Sequence, residues 1–183
     1  MTSEHYNATV ISRAQIAPGL IILRIRPDEL PYRFNAGQYT VLGLEICAPD
    51  GDDRRLCRRA YSIASGSNEN EFLEFYLTHV TTGELSPHLC ALQPGDRVHV
   101  GRKATGMFTL DRVPPDRHVL LVATGTGLAP YVSMLRSHLE CGGPRQFVVL
   151  HGARYSWDLG YRAELSDLAG RCPNFHYIPA ITR

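Results

Sequence analysis

The sequence lacks the features that mark several classes of protein. Its 19 basic and 18 acidic residues leave a formal net charge of +1, so no field of one sign predicts a nucleic-acid or membrane-surface partner. The opening stretch has no signal-peptide core, and no later run approaches the length of a membrane span. The sequence also contains no internal repeat and no low-complexity tract.

Patterns for metal and disulfide chemistry are missing as well. The five cysteines are odd in number, widely spaced and without a Cys-x-x-Cys pair. This argues against a disulfide framework, an iron–sulfur cluster or structural zinc. We therefore expect cysteines that act as small packing residues in a cytoplasmic protein. The eight histidines are scattered, so no metal site is expected.

The first hundred residues have a β pattern. Short segments rich in β-forming residues are divided by turn sequences such as APG, APDGDD, SGSNEN and QPGD. Six antiparallel strands at this spacing predict a barrel or sandwich. One helix is expected within LSPHLCALQ, with Ser86 as its N-cap and Pro87 at the first helical position. The predicted strands lie in ATVISRAQIA, GLIILRIRP, QYTVLGLEI, RAYSIAS, EFLEFYLTHV and DRVHVGRKA.

After Pro114–Pro115 the pattern changes. HVLLVA is a continuous apolar strand of the kind that is buried on both faces of a parallel sheet. It is followed by a helical pattern in YVSMLRSHLE, a strand in QFVVLHG, a helix in YRAELSDLAG and a strand in FHYIPAI. This alternation is typical of one half of a doubly wound nucleotide-binding fold. We expect two domains, residues 1–114 and 115–183.

The segment RRAYSIAS, residues 58–65, combines arginine, an aromatic ring and small hydroxyl residues. In a strand, Arg59 and Tyr61 share one face, with Ala60 and Ser62 on the other. One interpretation is an exposed edge strand. The other is a site for a flat anionic cofactor, where arginine neutralises phosphate, tyrosine stacks on a ring and serine bonds to the ring edge.

The loop ATGTGLAP, residues 123–130, joins an apolar strand to a helix. Gly125 and Gly127 allow a ligand to approach the backbone, and the helix start offers free N–H groups. Pro130 stands where a third glycine would complete G-x-G-x-x-G, so a simple tight turn fits as well. Arg154 ends the second strand, where an acidic residue would bind the ribose of NAD. An arginine there suits the 2′-phosphate of NADP, unless it is merely a surface side chain.

Taken in order, these motifs resemble the ferredoxin–NADP(+) reductases, in particular the bacterial type with a single FAD. The resemblance runs from about residue 5 to residue 183, and HGARYSWDLGYRAEL is similar to the same subgroup. It implies a six-stranded antiparallel FAD-binding barrel, followed by an incomplete, doubly wound NADP-binding α/β domain. FAD would be the cofactor and NADP(H) the cosubstrate. The motifs are AGQYTVLGLEI, RRAYSIAS, LEFYLTHV, GELSPHL, LQPGDRV and ATGTGLAP.

The resemblance also implies roles for single residues. Arg59, next to Ala60, would hold the FAD pyrophosphate, Tyr61 would stack on the flavin, and Ser62 would bond near flavin N5. Tyr61 and Ser62 are therefore the candidate catalytic residues. The other FAD candidates are Tyr76, Leu77, Thr78, His79, Glu84, Leu85, Ser86 and Thr126. The NADP candidates are Gly127, Ala153, Arg154, Thr182 and Arg183. For FYLTHV, a plain barrel strand is the alternative.

The implied activity is electron transfer between NADPH and ferredoxin or flavodoxin. The alternatives are an oxygenase-type reductase that uses FMN or NADH, and a non-catalytic flavin-binding electron-transfer subunit. Basic residues that could dock an acidic carrier, or simply form solvated surface, are Arg33, Arg54, Arg55, Arg58 and Lys103.

The resemblance implies that family members continue past the third strand of the second domain. We therefore expect a truncated copy of a longer reductase, which would be a monomer at full length. As an isolated chain it is predicted to hold FAD weakly, to be reduced slowly by NADPH and to aggregate through the unpaired edge of the HVLLVA strand.

Overall fold

The computed structural model of this chain describes residues 4–47 and 54–183. The turn expected at APDGDD falls outside the described residues. The strands are β1 Ala8–Ala17, β2 Leu20–Pro27, β3 Tyr39–Cys47, β4 Arg54–Ser62, β5 Leu73–Thr78, β6 Arg97–Val100, β7 Val119–Thr124, β8 Phe147–Ala153 and β9 Phe175–Ile181. The helices are α1 Ser86–Ala91, α2 Ala129–His138 and α3 Arg162–Arg171.

The first six strands form one antiparallel sheet in the order β4-β3-β6-β1-β2-β5. A bridge between Ile63 and Phe75 joins its two ends. The Ala64 amide also donates to the Glu74 carbonyl at 2.7 Å. The sheet therefore closes into a barrel, and the predicted fold class is confirmed for this half. Alternate residues such as Leu23 and Ile25 point inward and are fully buried.

The last three strands form a parallel sheet in the order β7-β8-β9. Crossovers between parallel neighbours share one hand as a rule, and the buried residues of α2 and α3 pack in one cluster with one face of the sheet. That face holds Leu121, Phe147 and Phe175, all buried. The strand–helix alternation predicted from the sequence is confirmed.

The expectation that HVLLVA is buried on both faces is wrong. Along β7, buried and exposed residues alternate, and Leu120 and Val122 are 66% and 55% exposed. No element within the described residues covers their side of the sheet or pairs with the free edge of β7. An apolar strand predicts burial, but only the packing of neighbours decides how many faces are covered.

Two local expectations also fail. Helix α1 has Leu85 at its N-cap with no side-chain cap, so Ser86 and Pro87 are its first two residues. The sequence further predicted cysteines without a structural bond, whereas Cys141 and Cys172 form a disulfide that joins the chain just after α2 to the end of α3. Their sequence separation of 31 gave no spacing signal, because the pair meets only when the ends of the two helices come together. Cys47, Cys57 and Cys90 are free.

Candidate functional site

A cleft of about 270 Å³ lies on the barrel, between β4, β5 and the loop before α1. We call it the barrel cleft. Strand alternation turns Arg59 and Tyr61 toward it, and β5 supplies the opposite wall. The residues that line it are Arg59, Tyr61, Tyr76, Leu77, Thr78, Val80, Gly83, Glu84, Leu85, Ser86 and Thr126. Most of the predicted FAD candidates therefore lie around one cavity.

The charged residues that line the barrel cleft are Glu84 and Arg59, and Arg55 lies beside them. Arg59 Nη2 donates to Glu84 Oε2 at 2.9 Å, and Arg55 pairs with the other oxygen of the same carboxylate. Both guanidinium groups remain more than half exposed, so an anion can still reach them. Burial raises the pKa of Tyr61, which keeps its phenol neutral and suited to packing against a ring.

Ser86 fixes the loop on one side of the barrel cleft. Its hydroxyl accepts a hydrogen bond from the Val80 amide at 3.1 Å and lies 3.3 Å from the Val80 carbonyl, to which it can donate. A Cβ at Gly83 would lie 2.8 Å from Ser86 Oγ, so the loop is too tight for a side chain there. Ser86 was predicted to cap α1, but it instead ties the loop of residues 80–86 together.

A second cleft, of about 620 Å³, opens at the carboxyl ends of β7 and β8. We call it the sheet cleft. Gly125 has a φ of +51° in the turn after β7, and a Cβ added at Gly125 or Gly127 would meet no atom within 4 Å. The space above this turn is open, as a ligand that approaches the backbone requires. The lining residues are Pro18, Leu20, Thr78, Thr124, Gly125, Thr126, Gly152, Ala153, Arg154, Asp158 and Thr182.

The two clefts adjoin each other. Thr78 at the end of β5 and Thr126 in the turn after β7 line both of them. A group bound in one cleft can therefore reach a group bound in the other.

Some of the predicted site residues do not line these clefts. Among the FAD candidates, Ser62 pairs with Tyr39 across β3 and β4, and the His79 amide donates to the Gly19 carbonyl. Ala60 lies instead in a neighbouring basic cleft with Arg58, Arg59, His99 and Arg102.

Two NADP candidates also stand outside the sheet cleft. Gly127 belongs to the turn after β7 but is not part of the lining, and the Arg183 amide donates to the Arg154 carbonyl at 3.0 Å. That bond keeps Arg183, two residues past the end of β9, beside the predicted phosphate arginine.

The sequence reasoning missed several residues near the clefts. Asp158 lines the sheet cleft, and Gly160 donates its amide to the Tyr76 hydroxyl at 3.1 Å. Tyr76 was predicted to face a flavin, yet its hydroxyl points to the turn before α3. The glycine in DLGY was the available signal, because glycine often marks a close approach of two backbones or of a side chain to a backbone.

Residues 4–47 and 54–183 also show no metal cluster and no membrane-spanning helix. They contain no group of three or more side chains arranged to hold a metal ion. None of their helices combines the length and the apolar character needed to cross a membrane.

A closed antiparallel barrel is followed by a parallel strand–helix sheet, and the two adjoining clefts are arranged as two dinucleotides bound side by side would require. Residues 7–108 match the family described as "Oxidoreductase FAD-binding domain". Residues 121–183 match the "Oxidoreductase NAD-binding domain". The chain belongs to the ferredoxin–NADP reductase family, of the bacterial type.

Two relatives carry this assignment. The chain is 42% identical over 152 residues to the flavodoxin/ferredoxin–NADP reductase of Escherichia coli K12, which covers 83% of this chain and 58% of that protein. It is 34% identical over 183 residues to ferredoxin–NADP reductase B of Sorangium cellulosum, covering 99% and 71%. The chain therefore spans little more than half of the first of these relatives.

A solved structure has the same fold. The ferredoxin NADP+ reductase of Neisseria gonorrhoeae, with bound FAD and NADP, superposes with a TM-score of 0.78 at 26% identity. The alignment covers 99% of this chain and 70% of that one.

Proposed function

We propose that this chain binds FAD in the barrel cleft and NADP(H) in the sheet cleft, and passes electrons between NADPH and ferredoxin or flavodoxin. The observation that carries the proposal is the junction of the two clefts at Thr78 and Thr126. Hydride transfer needs its two reacting groups in contact, and adjoining clefts allow this. Bound FAD would supply the capacity to take up two electrons together and release them singly.

The residues of the barrel cleft fit an FAD group. Arg59 offers a fork of N–H donors to a diphosphate, although the group would compete with Glu84 for that guanidinium. The half-buried ring of Tyr61 offers a neutral aromatic face. We keep Ser62, the last residue of β4, as the second catalytic candidate, with a hydroxyl that would bond near flavin N5.

The residues of the sheet cleft fit a nicotinamide dinucleotide. The open turn at Gly125 and Gly127 leaves room for a ligand against the backbone. Arg154 is exposed just after β8, free to contact a 2′-phosphate, and Arg183 lies beside it, two residues past the end of β9. The cationic end of the cleft therefore favours NADP(H) over NAD(H).

The name of the Escherichia coli relative supports ferredoxin or flavodoxin as the electron carrier. Exposed basic residues could receive an acidic carrier by charge complementarity. They are Arg33, Arg54, Arg55, Arg58 and Lys103. The proposal includes no nucleic-acid or membrane partner, a monomeric full-length form in the cytoplasm, and a domain boundary between Pro114 and Pro115.

Flavin identity and coenzyme choice test the proposal. Denatured protein should release FAD, and the bound flavin should be reduced by NADPH in preference to NADH. Recovery of FMN alone, or equal reduction by both coenzymes, would favour the oxygenase-type alternative. A flavin that neither coenzyme reduces would favour the non-catalytic subunit.

Replacement of Arg154 by Ala should weaken NADPH binding by about 1.5–3 kcal/mol, because a charge-assisted phosphate contact is lost. NADH binding should change little and serves as the internal control. Dissociation constants measured by flavin difference spectra check both values. Equal losses for the two coenzymes would mean that Arg154 does not contact the 2′-phosphate.

A further inference from the structure

Two side chains of β5 leave the barrel and end in the parallel-sheet half. Glu74 and Tyr76 are two positions apart, so they point to the same side of the strand. They are 1% and 3% exposed. Such deep burial of a carboxylate requires partners, and its partners come from both halves of the molecule.

The Glu74 carboxylate accepts hydrogen bonds from three side chains. Arg136 of α2 donates to Oε1 at 2.7 Å, and the hydroxyl of Tyr161 donates to the same oxygen at 2.9 Å. Arg24 of β2 donates to Oε2 at 2.7 Å. Arg136 is itself held on two sides, by the Ala64 carbonyl of the barrel at 3.1 Å and by both oxygens of Glu164 at 2.7 and 2.8 Å.

Tyr76 makes the second connection. Its hydroxyl accepts a hydrogen bond from the Gly160 amide at 3.1 Å, and its ring packs edge-on against Tyr161 with centroids 5.1 Å apart. A Cβ on Gly160 would overlap the Tyr76 hydroxyl, and Tyr161 has a φ of +60°. The turn before α3 can therefore approach Tyr76 closely only because residue 160 has no Cβ and residue 161 adopts a left-handed conformation.

The segment held in this way forms one wall of the sheet cleft. Residues 154–161 begin with Arg154, and both Arg154 and Asp158 line that cleft. Tyr76 lines the barrel cleft on the other side. The same contacts thus reach the walls of both clefts.

We propose that Glu74, Tyr76, Arg136, Tyr161 and Glu164 form an intersheet brace, a set of positioning residues that fixes the coenzyme-side wall against the flavin-side cleft. This inference rests on the proposed function for its kinetic consequence. None of the brace residues needs to contact a reacting atom. Their role is to hold residues 154–161 in register with the barrel, so that groups in the two clefts meet correctly.

The chemistry of the brace favours positioning over simple adhesion. Two surfaces can be joined by apolar packing without the desolvation of an ion pair, so a buried ionic contact is a costly way to gain stability alone. Arg136 donates two hydrogen bonds to Glu164, and Arg136 and Tyr161 both donate to the same oxygen of Glu74. Because these bonds are directional, they permit only one relative placement of β5, α2 and the 158–161 turn. A displacement of about 1 Å between reacting groups can cost a hundredfold in rate.

Tyr161→Phe tests the brace with the least disturbance, because it removes one hydroxyl and keeps the ring. Tyr177→Phe is the matched control, since the Tyr177 hydroxyl lies 3.1 Å from His151 Nδ1 within the parallel sheet and makes no hydrogen bond to a brace residue. In the FAD-loaded 183-residue chain, Tyr161→Phe should lower the rate of flavin reduction at saturating NADPH about tenfold. The control should stay within twofold, and FAD affinity should be unchanged in both.

A second measurement does not depend on turnover. Trp157 is the single tryptophan of the chain, is 59% exposed and stacks on Tyr155 inside the held segment. Its fluorescence anisotropy should fall in Tyr161→Phe and in Gly160→Ala, which pushes the turn away from Tyr76 without the loss of any polar group. It should not fall in Tyr177→Phe.

The outcomes separate the two proposals. Wild-type reduction rate and anisotropy in both Tyr161→Phe and Gly160→Ala would overturn the brace, as would equal losses in Tyr177→Phe. If NADPH does not reduce the wild-type flavin, the proposed function fails, and the anisotropy of Trp157 alone decides whether the brace holds residues 154–161.

Discussion

The six-stranded barrel buries its core within itself, whereas the three-stranded sheet completes its core on the outside of the barrel. The barrel core includes Phe75, Leu23 and Leu42, all of them from its own strands. The core of the parallel sheet includes Phe147 and Phe175 together with residues that belong to the barrel strands and loops. Those borrowed residues are Ala17, Leu20, Ala36, Ala64 and Tyr76.

The two sheets also differ in whether their edge strands are paired. The bridge from Ile63 to Phe75 leaves the barrel with no open edge between β4 and β5. In the described residues, β7 has one free edge, and one face of its sheet exposes Leu120, Val122 and Ile178. Closure makes a sheet independent of its surroundings, and an open sheet needs a neighbour.

The two clefts of the candidate site depend on the docking of the halves to different degrees. The barrel can form its cleft alone, apart from Thr126, whereas the sheet cleft also needs Pro18, Leu20 and Thr78 of the barrel. The parallel sheet therefore gains both its core and part of its cleft by docking. Substitutions in the two cores, at Glu74 and on the open face of β7 test that dependence.

Removal of a large core side chain should show whether the two halves unfold together or separately. Phe75→Ala and Phe147→Ala each delete a fully buried ring, at a cost of about 3–5 kcal/mol in the free energy of unfolding. Phe75→Ala should shift the unfolding of both halves, because the sheet docks on the barrel. Phe147→Ala should shift mainly the transition reported by Trp157.

Denaturant titrations followed by Trp157 fluorescence and by far-UV circular dichroism measure these transitions. If Phe75→Ala leaves the Trp157 transition unchanged, the parallel sheet is stable without the barrel, and its core does not depend on docking.

Loss of the charge on Glu74 should weaken the docking of the two halves. Glu74→Gln keeps the shape but leaves the buried side of Arg136 without its carboxylate, so the free energy of unfolding should fall by about 1.5–3 kcal/mol. Thermal or denaturant unfolding measures it. Glu164→Gln, which breaks the partly exposed side of the same arginine, is the control and should cost less.

The contribution of Glu74 should also depend on pH. Burial raises its pKa, but the charge of Arg136 and hydrogen bonds from Arg24, Arg136 and Tyr161 outweigh burial, so the folded pKa lies below the ordinary 4.5. A lowered folded pKa stabilises the protein above the unfolded value, and that stabilisation is lost as pH falls through the folded value. The stability difference between wild type and Glu74→Gln should therefore be constant near neutral pH and shrink below about pH 4.5. A difference that grows on acidification would show that burial dominates.

A charge on the open face of β7 should have the smallest effect on stability. Val122→Lys places an ammonium group where the valine is already 55% exposed, so the free energy of unfolding should change by no more than about 0.5 kcal/mol. Self-association, measured by light scattering, should decrease, because the apolar patch is interrupted. Thr81→Lys, on an exposed barrel loop, adds the same charge elsewhere as a control. A loss of several kcal/mol in Val122→Lys would mean that this face is covered in solution.

Local pattern was sufficient for most of the elements. The predicted strands ATVISRAQIA and FHYIPAI coincide with β1 and β9, because alternation and turn residues act over a few positions. The order of motifs also predicted the family and most, but not all, of the residues that line the barrel cleft. Features of this kind depend on residues close together in the sequence, so the sequence alone determines them.

Contacts between distant positions were decided only by the tertiary structure. Glu74 looks like a solvated strand carboxylate in the sequence, yet it is buried against Arg136 and Tyr161, which lie 62 and 87 positions away. Cys141 and Cys172 meet because α2 and α3 pack on one face, and Val122 stays exposed because nothing in the described residues covers the other. Periodicity determines which face of a strand is apolar. Whether that face is buried, and which charges are buried with it, depends on how the sheets and helices dock.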